Sequence, residues 1–380
     1  MIKKKPIHFY LTMLFSMIFI NFPVYCFATP SNQIDGHDPT KPYPYKEEEI
    51  SFVNLQAGIT LFGTLTIPPG IGPFPAVEIL PGEGPDRRDG YDMSPKAHKW
   101  LVLADYLTRR GIATLRYDKR GVGSSSGDFQ NATSQDLAND AGFGVEYLKN
   151  LKEVNVNKVG IVGQSEGGLI APMVAAHSKD VAFIVLMAGP GLRGDQILLH
   201  QQYVIDQMNN IKQPKLDVRR EITRKILEEA IRQKDYDQFR SKVREIVQQE
   251  MASLAKDDPK MITDEQEWWI GKVNSNLLTP WGKFFLLYDP QTSLKLVTCP
   301  VLVIDGDKDW RVPPDENFPV IESALKESGN HDFLLKSFPN MGHGLQTLKD
   351  GSLTEFADPL QPLAPEVLFF IGDWIEKHTK

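Results

Sequence analysis

The apolar run Val159-Gly160-Ile161-Val162 leads straight into Gly163-Gln164-Ser165-Glu166-Gly167, and that into a helix-forming stretch over residues 168–176. A strand, a G-x-S-x-G turn and a helix in immediate succession leave a chain few choices. The turn is so tight that Ser165 is forced into a strained backbone conformation. Side chains at the flanking positions would strike neighbouring backbone, which is why Gly163 and Gly167 are glycine. The serine hydroxyl is then held out at the carboxyl end of a parallel strand, and the N-terminus of the next helix points at it. G-x-S-x-G alone matches many unrelated loops; the strand before it and the helix after it give it meaning here.

Strands and helices alternate around this turn. Residues 49–53 and 59–67, separated by Gln56-Ala57-Gly58, form a hairpin-like pair. Residues 75–80, 112–117 and 181–187 are further strands. One helix covers about 95–110, with Trp100, Leu101, Ala104 and Leu107 on one face. Another starts at Thr133-Ser-Gln-Asp136, and Leu137, Ala141, Val145 and Leu148 continue it at helical spacing. From about Gln196 to Leu287 the rhythm changes. Val218, Ile222, Ile226, Leu227 and Ile231 share one helix face, and Phe239, Val243, Ile246, Val247 and Met251 another. The strand pattern resumes at 300–304 and 332–336, and a helix over 365–375 closes the chain. The expected fold is α/β: a mostly parallel central sheet with helices on both faces and an inserted helical cap. The expected segments are 1–28, 29–46 (a polar, Pro-rich leader), 47–195 and 296–380 (the two parts of the α/β core), and 196–295 (the cap).

The 380 residues, 41% hydrophobic and 24% charged, suit a globular chain with a large core. A net charge of -7 without a basic stripe argues against nucleic acid as a partner. Lys3-Lys4-Lys5 precedes an uncharged, mostly apolar run ending in Cys26-Phe27-Ala28. That is the form of a secretory signal peptide over 1–28, so export to the periplasm or beyond is expected, with no stable membrane insertion after cleavage. The alternative is an uncleaved N-terminal anchor, which Pro23 and the polar stretch that follows disfavour. Of the two cysteines, cleavage removes Cys26 and leaves Cys299, so no intramolecular disulfide can form; Cys299 is expected to pack in the core.

A serine hydroxyl needs a base within hydrogen-bond reach to act as a nucleophile. Of the eight histidines, His343 sits in a Gly-flanked loop, Asn340-Met-Gly-His-Gly-Leu345, just past the last strand. Such a loop can swing an imidazole over a serine on a central strand. A carboxylate must orient that ring and stabilise its cation. Asp305, Asp307 and Asp309 follow the penultimate strand, and Asp309, which reaches furthest along the loop, is the expected partner. The backbone N–H groups of Glu166 and of Glu83, in Pro81-Gly82-Glu83-Gly84, are the expected oxyanion donors. Both residues carry carboxylates, expected to turn away into solvent or to a cation such as Arg87, Arg88 or Arg120.

These residues resemble bacterial serine esterases of the α/β-hydrolase fold, in the group with a G-x-G-P loop, R-Y-D-K-R-G-x-G and G-x-S-E-G-G. The matching stretches are Gly82-Glu-Gly-Pro85, Arg116-Tyr-Asp-Lys-Arg-Gly-Val-Gly123, Gly163-Gln-Ser-Glu-Gly-Gly168 and Ala188-Gly-Pro-Gly191. Asp309 and Asn340-Met-Gly-His343 match the acid and histidine positions, in the order Ser165, Asp309, His343. The likeness is close over about 53–192 and looser from 300 onward; the helical insert matches in position only. It implies hydrolysis of small carboxylic esters through an acyl-enzyme, without cofactor or metal. One departure is Pro81-Gly82, where the family usually has His-Gly. Asp118 and Arg120 are expected to order the neighbouring loop. The alternatives are a peptidase, amidase or thioesterase using the same triad, and a non-catalytic binding protein on the same scaffold. Trp268, Trp269, Trp281, Phe284 and Phe285 are expected to pack the cap against the core rather than line an acyl pocket.

Overall fold

The computed structural model describes residues 38–90, 98–255, 259–273, 275–348 and 363–380. The expected signal peptide lies outside them. The chain opens with β1 (Lys46–Asn54), β2 (Ile59–Ile67), β3 (Phe74–Leu80), α1 (Lys99–Arg109) and β4 (Ala113–Tyr117). Next come α2 (Ser134–Lys149), β5 (Val154–Gln164), α3 (Glu166–Ala175) and β6 (Phe183–Met187). A helical run follows: α4 (Gly194–Met208), α5 (Lys215–Arg232), α6 (Tyr236–Met251), α7 (Pro259–Lys272), a 3-10 turn (Ser275–Leu278), α8 (Pro280–Leu287) and α9 (Gln291–Leu294). The chain then returns to β7 (Val301–Gly306), α10 (Pro314–Glu327), β8 (Phe333–Phe338) and α11 (Pro365–Thr379).

The strands form an eight-stranded sheet in the order β1-β2-β4-β3-β5-β6-β7-β8. β1, β2 and β4 pair antiparallel, β1 and β2 through the expected hairpin, and every later pairing is parallel. Successive side chains alternate between the faces. In β4, Ala113, Leu115 and Tyr117 join an apolar cluster with Leu137, Ala141 and Val145 of α2 and Leu169 and Ile170 of α3. Thr114 faces the other way, where the Thr66 hydroxyl hydrogen-bonds both Thr114 (2.7 Å) and Thr108 of α1 (2.6 Å). Helices therefore cover both faces; β4, β6 and β7 are buried throughout, while the edge strand β8 leaves Leu334 and Lys336 exposed.

Thr133 caps α2 as its sequence implies, exchanging hydrogen bonds with Asp136 in a capping box. The run from α4 to α9 is inserted between β6 and β7 and carries an apolar cluster of its own: Ile222, Ile226, Phe239, Val243, Val247, Met251, Trp269 and Leu286. The helix faces expected from spacing supply most of it. Arg219 is buried there, with its guanidinium 3.7 Å from the centre of the Trp268 ring, so Trp268 and Trp269 pack the segment internally. Cys299 packs against the main core, and burial pushes its thiol up to about 12.

One element escapes the sequence reading: α10, whose signal is masked by Pro314 and Pro319. Pro314 sits in the first turn, where no N–H is needed. Pro319 removes one hydrogen bond inside the helix, yet the burial of Ile321, Ala324 and Leu325 holds it together.

Candidate active site

The turn between β5 and α3 has the geometry that its glycines imply. Ser165 takes φ 53° and ψ -113°, a strained conformation for a residue with a side chain. A methyl group on Gly163 would collide with the Gly167 carbonyl, and one on Gly167 with the Leu80 carbonyl at the end of β3. The two glycines thus let the elbow fold on itself and press against the adjacent strand. Ser165 remains partly exposed.

His343 reaches the serine from the loop after β8. Its Nε2 lies 3.0 Å from Ser165 Oγ, and its Nδ1 lies 2.7 Å from Asp309 Oδ2. An ionised carboxylate can only accept, so Nδ1 carries the proton and Nε2 is left with a lone pair facing the serine hydroxyl. Asp309 is buried, and its other oxygen accepts the backbone N–H groups of Arg311 (2.8 Å) and Val312 (3.1 Å). Burial pushes its carboxyl up, but the His343 ring and these hydrogen bonds outweigh that and hold it below its usual value.

The other two aspartates of the loop do different things. Asp307 is exposed and pairs with Lys308. Asp305 is buried beside Asp309; burial first, then the charge of Asp309, push its carboxyl well above the usual range. Its Oδ1 accepts the Gly306 N–H at 2.7 Å.

The histidine loop is held by groups that sequence reasoning missed. The Gln164 side-chain amide donates to the His343 carbonyl at 3.2 Å, and the Lys99 ammonium donates to the Gly344 carbonyl at 3.0 Å. Lys308 N–H donates to the Met341 carbonyl at 2.9 Å. Gly306 is glycine because that carbonyl occupies the place of a side chain. Gln164 stands inside the G-x-S-x-G motif, so its position was visible, but its partner lies 179 residues away.

The expected oxyanion loop passes close to the serine: a methyl on Gly82 would lie 3.3 Å from Ser165 Cβ and 3.0 Å from Gln164 Oε1. Glu166 is the first residue of α3, where no intrahelical acceptor exists for its N–H. The carboxylates of these two residues find other cations than Arg87, Arg88 or Arg120. Glu83 pairs with Arg311 at 3.2 Å, and the buried Glu166 pairs with Lys119 at 3.2 Å. Glu166 also accepts from the Ser134 hydroxyl (2.8 Å) and the Trp281 indole (2.6 Å). Arg88 is taken by Asp118 and Glu49, and Arg120 by Asp140, so these arginines order the loop after β4.

Residues 95–349 match the family model described as Hydrolase_4, serine aminopeptidase, S33, and the chain belongs to this family. It is 27% identical over 307 residues to Esterase EstD of Thermotoga maritima, a match covering 80% of this chain and 61% of that protein. The chain therefore spans less than two thirds of the length of that relative. Among solved structures it resembles the α/β hydrolase GrgF of Penicillium sp. (TM-score 0.53, 16% identity, 88% of this chain and 99% of that one). It also resembles the Pyrococcus furiosus esterase Pf2001 (TM-score 0.53, 15% identity, 90% of this chain and 96% of that one). At such identities the likeness is one of fold, and the fold is the α/β-hydrolase fold. The family so shown is one of serine hydrolases.

Proposed function

We propose that this protein hydrolyses small carboxylic esters through an acyl-enzyme, with Ser165 as nucleophile, His343 as general base and acid, and Asp309 as the carboxylate that orients His343. The observation that carries this is the unbroken chain of contacts from Asp309 Oδ2 to His343 Nδ1 and from His343 Nε2 to Ser165 Oγ. As Ser165 Oγ attacks the ester carbonyl carbon, Nε2 takes the hydroxyl proton and the carbonyl π electrons move onto oxygen. The N–H groups of Glu83 and Glu166 receive that oxyanion; losing one such donor costs about 2.7–4 kcal/mol of transition-state stabilisation. The imidazolium, stabilised by Asp309, gives its proton to the leaving alkoxide. His343 then deprotonates a water that attacks the acyl-enzyme, and returns the proton to Ser165 as the acid departs. The inserted segment, 196–295 by the sequence boundaries, serves as a cap over this site.

Ser165→Ala should lower kcat for p-nitrophenyl butyrate by about 10⁶-fold while the protein remains folded. Turnover by the variant within tenfold of the parent, or failure of a fluorophosphonate to label Ser165, would sink the proposal.

The name of the matched family favours a second reading, release of an N-terminal amino acid from a peptide, because the same triad cleaves amides. A panel of aminoacyl anilides run beside an ester chain-length series separates the two. Export is proposed on Lys3-Lys4-Lys5 and the apolar run after it. Among the described residues no helix is long and apolar enough to cross a membrane. The N-terminal residue of the purified exported protein checks the cleavage.

A further inference from the structure

Lys119, just after β4, has no role in the chemistry above, yet its ammonium is buried beside that chemistry. An ammonium has three N–H groups and no acceptor. Those of Lys119 have three acceptors: the Gly82 carbonyl, the Gly84 carbonyl at 3.0 Å and the Glu166 carboxylate at 3.2 Å. The two carbonyls bracket Glu83, and the carboxylate belongs to Glu166. Lys119 thus binds both residues whose N–H groups are proposed to hold the oxyanion.

The peptide unit explains what this does. The Gly82 carbonyl and the Glu83 N–H belong to one rigid trans plane, in which C=O and N–H point in opposite directions. Gripping the Gly82 oxygen on one side fixes where the Glu83 N–H aims on the other. A cation on the carbonyl also polarises that peptide and strengthens its N–H as a donor. The loop needs such a hold: Gly82 packs against Ser165 with no side chain of its own, and Gly84 has φ 102°. On the other side, the Glu166 carboxylate neutralises Lys119 and is itself held by Ser134 and Trp281, which keeps its charge off the oxyanion position.

We propose that Lys119 is the positioning residue of the oxyanion hole: it orients the Glu83 N–H through the Gly82 carbonyl and ties that loop to the helix that carries the Glu166 N–H. The inference rests on the reading of Glu83 and Glu166 as oxyanion donors and deepens it.

A lysine that merely satisfied buried carbonyls would affect stability and leave the turnover of the folded enzyme alone. A positioning residue moves kcat and the affinity of a transition-state analogue together. Lys119→Met should lower kcat for p-nitrophenyl butyrate by about 30–100-fold, somewhat less than loss of a donor outright. KM should change less than about threefold, and a trifluoromethyl ketone should bind more weakly by the same factor as kcat/KM falls. A folded Lys119→Met protein with unchanged kcat and inhibitor affinity overturns the proposal, and so does one in which KM alone moves. If Lys119→Met does not fold, Lys119→Arg supplies the reading, because a planar fork cannot serve three converging acceptors as an ammonium does. The same parallel loss is expected, of at least about tenfold, and unchanged values overturn the role. Glu83→Pro, which removes the N–H itself, should lower kcat by about 10²–10³-fold. Full activity in Glu83→Pro would remove the donor assignment and the positioning role with it. A loss in Glu83→Pro with none in the Lys119 variants would overturn the positioning role alone.

Discussion

The indole N–H of Trp281, on α8, ends 2.6 Å from the carboxylate of Glu166, the residue next to Ser165 in the chain. The inserted helical segment is therefore fastened to the elbow by a charge-assisted hydrogen bond, a stronger class than a neutral one. Trp281 also stacks on Phe285 with ring centres 5.3 Å apart, and Phe285 packs against Gly194 where α4 begins. The aromatic residues of α8 thus join both ends of the insertion to the site.

Trp281→Phe keeps the stacking and removes the donor. The expected loss of stability is about 1.5–3 kcal/mol, the range for a hydrogen bond to a charged group, read from the urea midpoint. kcat should change less than about tenfold, because Ser134 and Lys119 still hold Glu166. An unchanged midpoint would mean that this bond does not hold the insertion in place.

Asp309→Asn should lower kcat by about 10⁴-fold by favouring the wrong tautomer of His343, whereas Asp307→Asn should leave it within about tenfold. The reason is where the carboxylates sit: Asp309 is buried against the ring, and Asp307 is turned to Lys308. Equal losses in steady-state assays of the two variants would overturn the choice of acid.

Asp305 separates charge from shape. Burial and the charge of Asp309 disfavour a charge here, so Asp305→Asn should be tolerated, with kcat within about tenfold of the parent, since the amide keeps the shape and an oxygen for the Gly306 N–H. The stability effect has a definite sign. A carboxyl whose folded pKa is raised stabilises the fold fully below its unfolded value, about 4, and that contribution is lost as pH rises toward the folded value. Asp305→Asn removes this penalty, so the variant should gain in urea midpoint relative to the parent between pH 5 and pH 8, by roughly the same amount or more at each higher pH. A gain that shrank as pH rose would contradict the upward shift of Asp305.

Where one stretch of chain held all the residues of a feature, the feature was legible. The elbow glycines exclude side chains within a five-residue turn, and β2 runs over the residues expected of it. Thr133 and Asp136 sit three residues apart and close their capping box. The expected trio of Ser165, Asp309 and His343 converges because each stands at the carboxyl end of a parallel strand or in the loop just beyond it, and a parallel sheet gathers those ends along one edge. α10 was illegible because its prolines spoke locally against a helix that distant packing sustains.

The succession of strands and helices along the chain, the strained serine and the two side chains that meet it were thus legible in the sequence, since backbone sterics and strand-end placement act over a few residues. Which cation meets Glu166, what grips Gly82, what holds the His343 loop and how the insertion is anchored were decided only in three dimensions. Lys119, Gln164 and Trp281 each bind a group far away in the chain, and a long polar side chain does not announce its partner; the surrounding fold selects it by burying both and leaving each no other place to bond.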